Sequence, residues 1–378
     1  MLLNRKRNEN EKVILAKISE YGAMTKYDLA EQINISIPTV TTNVNRLLKE
    51  GILKEVGVAE ADYGRKPMLI DIEYDRCFSI GIDIQKQSIY YCLMNLKFDA
   101  VIERTMKNSE ALIENSIKTI VTSLLDERGL NKENIIGIGV SYPGIVEEEF
   151  LLLKKGPNIG VANLSLEHLR EEIGINLYVG NEARLAAFAE NIMGVSKAYK
   201  NSLYISIKEG IGAGIIVDNR YYTGSNEAAG EIGHMVVQKG GMLCNCGNRG
   251  CVEPYLSTQT LIKTFSIAVG KEISQLGGVF ALYDIGNSKH KKVMREYLEY
   301  LVLTLNNVFL IFDPDCVIIG GEMSEYQEQI EPLIKEIMQD MKCSMLKTDR
   351  KIVFSSLGYK ASKYGAALRA FETITALV

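Results

Sequence analysis

The stretch GEIGHMVVQKGGMLCNCGNRGCVEP, residues 230–254, places His234, Cys244, Cys246 and Cys251 within eighteen positions. One imidazole and three thiols so close in sequence can converge on a single metal ion, and that convergence would dictate the path of the whole loop. Gly247 and Gly250 lie between the sulfurs, where tight turns call for residues that tolerate left-handed backbone. The alternative is a set of free or redox-active thiols. Seven cysteines, an odd number in a long chain, argue against a disulfide framework. The basic opening MLLNRKRNENEK has no apolar run behind it, and no run of about 18 uncharged apolar residues occurs elsewhere. The expectation is a cytoplasmic protein with no membrane partner.

The first 74 residues read differently from the rest. In EKVILAKISEY, residues 11–21, Val13, Ile14, Lys17, Ile18 and Tyr21 fall at helical spacing. A second helix starts at Thr25, an N-cap with Asp28 three residues on, and carries Leu29, Ala30 and Ile33. Ser36 caps a third, with Pro38 in its first turn, Val40, Val44, Leu47 and Leu48 as its buried stripe, and Gly51 as its stop. Two alternating segments follow around the polar tip containing GRKP, residues 64–67. Three short helices and a two-stranded wing make a winged helix-turn-helix, mainly α, spanning 1–74. With its third helix in the major groove of double-stranded DNA, Thr39, Thr42 and Asn43 would reach base edges. Thr41 and Arg46 would meet phosphates, while Arg65 and Lys66 of the wing would enter a minor groove. The segment holds eleven basic and eleven acidic residues, so the electrostatic contribution to any DNA affinity is expected to be modest.

From Phe78 onward strands alternate with helices. FSIGIDI, SIYYCLMN, a helix over 110–128, NIIGIGVSY and INLYVGN lead into the helix EARLAAFAENIMG. The pattern then restarts with NSLYISI, GIGAGIIVD and HMVVQ as strands, helices at 256–270 and 290–312, and CVIIGG and KIVFSS each preceding a further helix. Two successive α/β units imply a duplicated fold whose lobes enclose a ligand cleft. The segment YLEYLVLTLNNVFLIF, residues 297–312, is too apolar for a solvated helix and reads as core or dimer interface.

GIDI at 81–84, GNEARLAA at 180–187, GIGAGII at 210–216, GEIGH at 230–234 and CNCGNRGCVE at 244–253 resemble the ROK family of repressors and sugar kinases. With the winged helix, the resemblance covers nearly the whole chain and is strongest to the xylose-repressor-like regulators. It implies an actin-like (ribonuclease H-like) α/β body with a first lobe over 75–184 and 360–378, and a second over 185–359 that carries the metal loop and the dimerisation surface. It implies structural zinc on His234, Cys244, Cys246 and Cys251, and a sugar or sugar derivative bound by Asn158, Asn181, Glu182, Glu231, His234 and Glu253. The chain departs from the family's kinases: Gln85, Lys86 and Gln87 follow Asp83 in place of a Gly-Gly-Thr run, Glu209 stands in the second phosphate loop, and Glu182 replaces the aspartate base. No ATP binding and no enzyme activity are therefore expected. It also departs from the sensors, with Val161 in place of a tryptophan and Glu147 in place of an aspartate.

Two functions fit this reading. One is a dimeric, sugar-responsive transcriptional repressor. The other is an antirepressor of the same subgroup, acting in antibiotic-resistance regulation through DNA or protein contacts on another repressor, with a vestigial sugar site.

Overall fold

The computed structural model describes residues 7–60, 66–108, 112–156, 161–341 and 350–375. It divides into two units, the first comprising 1–155, 161–181 and 363–378, the second 156–160 and 182–362.

The first unit begins with α1 (Glu9–Tyr21), α2 (Lys26–Ile33) and α3 (Ile37–Lys49). Each start is fixed by a short polar side chain on an orphan amide: Asn8 takes Glu11 N–H, Thr25 takes Asp28 N–H and Ser36 takes Thr39 N–H. Asp28 answers the Thr25 N–H, completing the capping box expected there. The wing follows as β1 (Leu53–Val58) antiparallel to β2 (Met68–Ile72), and a bridge from Met24 to Ile70 ties it back to the helices. Ile14, Leu29, Val40, Val44, Leu47, Ile52 and Ile70 are all fully buried and form the small core.

The stripe of α1 is not the one the spacing predicts. Glu11, Ile14, Leu15 and Ile18 are buried, whereas Tyr21 is exposed and Val13 only half-buried. A carboxylate takes a core-facing position because the Arg46 guanidinium meets it at 3.3 Å, which a hydrophobic pattern cannot encode. On α3, Leu48 is likewise only half-buried.

The remainder of this unit is built from β3 (Phe78–Ile84), β4 (Ser88–Asn95), β5 (Ala100–Lys107), α4 (Ile113–Arg128), β6 (Ile135–Tyr142), β7 (Ile145–Glu147), β8 (Leu152–Gly156), β9 (Val161–Ser165), α5 (Glu167–Ile173) and β10 (Leu177–Asn181). Its main sheet has the order β10-β6-β3-β4-β5; β7, β8 and β9 form a separate small sheet.

The second unit contains α6 (Glu182–Met193), β11 (Ser202–Ile207), β12 (Ile211–Val217), β13 (Arg220–Tyr221), α7 (Glu253–Leu256), α8 (Thr258–Val269), α9 (Leu276–Leu282), α10 (Ser288–Phe312), β14 (Cys316–Gly321), α11 (Gln327–Asp340) and β15 (Ile352–Phe354). Its sheet order, β13-β12-β11-β14-β15, repeats that of the first. In each sheet an antiparallel meander of three strands is followed by two strands added in parallel on the far side of its first strand. That is the duplicated ribonuclease H-like plan.

The chain ends with α12 (Ala361–Phe371), which approaches β6 so closely that a Cβ on Gly139 would lie 1.8 Å from Ala366 O. One face of α10 is core, running from Met294 through Leu298, Leu301 and Leu305 to Phe309. At its end Leu310, Ile311 and Phe312 are exposed. HMVVQ is not a strand: His234 closes a short 3-10 helix, Val236 alone bridges, to Cys251, and the other residues are bends. No helix among the described residues is long and apolar enough to cross a membrane.

Candidate metal centre and DNA-facing helix

The four donors predicted from sequence come together. One ligand atom from each of His234, Cys244, Cys246 and Cys251 lies within 4.8 Å of the others. His234 Nδ1 is 3.5 Å from Cys244 Sγ, and the sulfurs of Cys246 and Cys251 are 3.8 Å apart. A tetrahedron with metal–sulfur bonds of about 2.3 Å and metal–nitrogen bonds of about 2.0 Å has edges of roughly 3.8 and 3.6 Å; these two distances match such edges, and all four donors lie within about an ångström of closing on one ion. The cluster could therefore bind a metal.

Cys244 and Cys251 are buried and Cys246 is exposed. Burial pushes the Cys251 thiol up to about 12 and also raises Cys244, while the backbone N–H of Asn248 lowers Cys246. The backbone is drawn tight around the sulfurs. Cys244 N–H donates to Asn248 O, Gly247 N–H to Cys244 O, and Gly250 N–H to Met242 O. Tyr255 closes the outside of the loop by accepting Met242 N–H at 2.7 Å, its ring stacked on Tyr300 of α10.

The other side of His234 faces acids. Its Nε2 lies 3.8 Å from Glu231 Oε2, and burial raises the Glu231 carboxyl, with Glu253 adding to the effect while His234 and Arg184 oppose it. Glu253 accepts the Ile211 N–H at the start of β12. Glu182, heading α6, is paired with Lys208 Nζ at 2.7 Å and accepts the Ser206 hydroxyl at 3.0 Å. In the first unit Asn181 donates its amide to Gly144 O. Asp83 there is fully buried, with Ser141 donating to one oxygen at 2.6 Å and Gln85 to the other at 2.7 Å. Asn158 lies outside the described residues. Sequence reasoning missed Lys208 and Ser206 as partners of Glu182; a lysine inside a glycine-bearing loop was the available signal.

On α3, Thr42 and Arg46 are exposed and Thr39 and Thr41 half-buried, so these four reach the surface. The Thr39 hydroxyl is occupied by the Ser36 cap at 2.9 Å. Asn43 corrects the expectation of a solvent-facing amide. It is only 5% exposed; its oxygen accepts from Asn8 at 3.0 Å and its nitrogen donates to Thr39 O at 2.8 Å. It thus holds the start of α1 against α3, and it is removed from the groove-facing set. Asn45 and Lys49, both exposed, stand on that face and were not foreseen. Lys66 is exposed at the wing, while Arg65 lies outside the described residues.

A winged helix-turn-helix preceding a duplicated ribonuclease H-like body with a His-Cys-Cys-Cys loop defines a narrow class of proteins. Residues 79–372 match the ROK family and residues 8–54 the MarR family, and the chain belongs to the ROK family. It is 27% identical over 361 residues to the xylose repressor of Bacillus subtilis, an alignment covering 94% of this chain and 93% of that one. A ROK family transcriptional regulator described as a homologue of the E. coli MLC protein shares the fold with a TM-score of 0.82 at 23% identity, over 97% of this chain and 96% of the other. A ROK glucokinase from Streptomyces griseus, solved with glucose and AMPPNP, matches 78% of this chain and 99% of its own with a TM-score of 0.69 at 22% identity. The family thus includes kinases, whereas the two relatives above that align over 94% and 97% of this chain are a repressor and a transcriptional regulator.

Proposed function

We propose that this chain is a transcriptional regulator that binds double-stranded DNA as a homodimer, through α3 and the wing, and that transfers no phosphoryl group. One observation carries the reading: the solvent face of α3 is basic although the domain as a whole is neutral. From Ile37 to Lys49 the helix contains no acid, and Thr42, Asn45, Arg46 and Lys49 are exposed along it. The acids nearest to it are withdrawn, Glu50 into a buried pair with Arg7 at 2.8 Å and Glu11 beneath Arg46. Local charge, not net charge, meets the phosphates.

The donor set of one imidazole and three thiols, gathered within 4.8 Å, supports zinc as the ion that His234, Cys244, Cys246 and Cys251 hold. Its chemistry there would be structural, fixing the loop between Glu231 and Glu253. The pairing of both Asp83 oxygens with Ser141 and Gln85, and the Lys208 ammonium on Glu182, support the absence of kinase chemistry, because the first carboxylate is spent on protein hydrogen bonds and an ion pair makes the second a weaker base toward a sugar hydroxyl. The same pairs favour a second reading, in which the sugar site is vestigial and the protein acts as an antirepressor. A sugar or sugar derivative remains the effector of the first reading, held by Glu231, His234 and Glu253.

Immunoprecipitation of the chain from its host, followed by sequencing of the bound DNA, separates the two. Recovery of discrete promoter fragments by the wild type, lost with Thr42→Ala/Arg46→Ala, supports direct regulation. Fragments recovered equally by both proteins would refute it in favour of recruitment by another DNA-bound protein.

A further inference from the structure

The exposed amide of α3 is Asn45, and its chemistry is set by a lysine from another helix. Lys26, the first residue of α2, places Nζ 2.8 Å from Asn45 Oδ1, with both groups at the surface. Asn45 follows Thr41 and Thr42 by one helical turn and precedes Lys49 by another, so these residues share the exposed face. A carboxamide offers an acceptor oxygen and two N–H donors, and a free asparagine uses both kinds to grip adenine through N6 and N7. Here the ammonium occupies one of the two acceptor positions of the oxygen. The balance of the pair shifts toward donors: the amide NH2 together with the N–H groups that Lys26 has left.

Of the four major-groove base edges, guanine alone presents two acceptors side by side, N7 and O6. Adenine sets an N6–H2 donor beside N7, cytosine presents a donor, and thymine a methyl group beside O4. We infer that the Lys26–Asn45 pair is a specificity element that reads a guanine in each half-site, an inference that rests on the DNA-binding reading above. The neighbouring groups agree with this division of labour. Thr42 turns its hydroxyl proton inward to Pro38 O at 3.0 Å, so it does not duplicate the donor pair, while Arg46, one nitrogen of which lies 3.3 Å from Glu11, keeps its other donors for the phosphates.

The test is selection of bound sequences from a randomised duplex pool by the full-length chain, its Asn45→Ala variant and its Lys26→Met variant. Melting curves would confirm that these surface changes leave the fold intact. The wild-type consensus should contain one guanine per half-site whose identity disappears with Asn45→Ala while the other positions persist. Replacing that guanine by 7-deazaguanine should weaken the wild type about tenfold or more and leave Asn45→Ala unchanged. Lys26→Met frees the amide oxygen and should move the preference at that position toward adenine. An Asn45→Ala consensus identical to that of the wild type, with affinity lowered uniformly, would overturn the inference and make the pair a phosphate contact. If the wild type enriches no sequence at all, the DNA-binding reading itself fails, and this inference falls with it.

Discussion

Two glycines of the metal loop share a backbone conformation but not an environment, and their alanine variants should separate accordingly. Gly247 has φ +92° and Gly250 φ +82°. A Cβ on Gly247 would meet nothing within 4 Å, so Gly247→Ala incurs only the left-handed conformational penalty, about 1–2 kcal/mol. A Cβ on Gly250 would fall 1.7 Å from Gln238 O and 2.6 Å from Gln238 C. Those are backbone atoms that cannot rotate away, so the strand of loop carrying Cys251 must shift. The shift breaks contacts that Gly250 makes on both sides: its N–H to Met242 O at 2.8 Å, and its carbonyl to Val237 N and Gln238 N at 2.8 and 3.1 Å. At about 1 kcal/mol for each of the three hydrogen bonds, added to the conformational penalty, the total for Gly250→Ala is about 4–5 kcal/mol. Read as metal affinity, at about 1.4 kcal/mol per decade, Gly250→Ala should weaken zinc binding by about several hundredfold or more and Gly247→Ala by about thirtyfold or less. Competition titration against a chromophoric zinc chelator measures both. Equal losses, or a Gly250→Ala protein binding like the wild type, would refute the geometry given for the loop.

Zinc uptake at neutral pH should release about two to three protons, since burial keeps Cys244 and Cys251 protonated until the ion arrives; titration calorimetry in buffers of different ionisation enthalpy counts them, and release of none would contradict zinc–thiolate bonding. Asn43→Ala should lower the stability of the winged helix by about 2 kcal/mol through loss of two partly buried hydrogen bonds, whereas Thr42→Ala, exposed, should be near neutral; thermal melts of the two distinguish a packing role from a surface one. Glu190→Ala should destabilise the second unit by about 3 kcal/mol, because the buried carboxylate accepts from Val195 N, Leu357 N and the hydroxyls of Ser355 and Ser356; an unchanged denaturant midpoint would show those bonds to be dispensable. Coupled assays with ATP and glucose or xylose should show no turnover, and turnover abolished by Glu182→Ala would reverse the reading of Asp83 and Glu182.

What the sequence made legible was local. The Thr25–Asp28 box and the Ser36 cap are written within four residues each, and the four metal donors within eighteen, so spacing alone located them. Asn43 was misassigned because its environment depends on Asn8, thirty-five residues away, whose side chain reaches α3 only after α1 has packed. Glu11 is buried for a similar reason. HMVVQ alternates like a strand, yet it is folded into bends between His234 and the backbone of Met242 and Gly250, and a propensity reading sees no such constraint. β5 was overlooked because its charged, exposed positions blur the alternation of an edge strand. The pairing of Lys208 with Glu182 joins two elements whose proximity follows from the fold and not from sequence separation.

The central claim is that α3 and the wing engage DNA directly. Hydroxyl-radical footprinting of the full-length chain on the region upstream of its own gene tests that claim at physiological salt. The account predicts two protected half-sites related by two-fold symmetry, with centres a whole number of helical turns of about 34 Å apart. Protection should be lost with Arg46→Ala/Lys49→Ala and weakened steeply by added salt. Absence of any footprint, from a protein that still alters transcription of that region in cells, would contradict it.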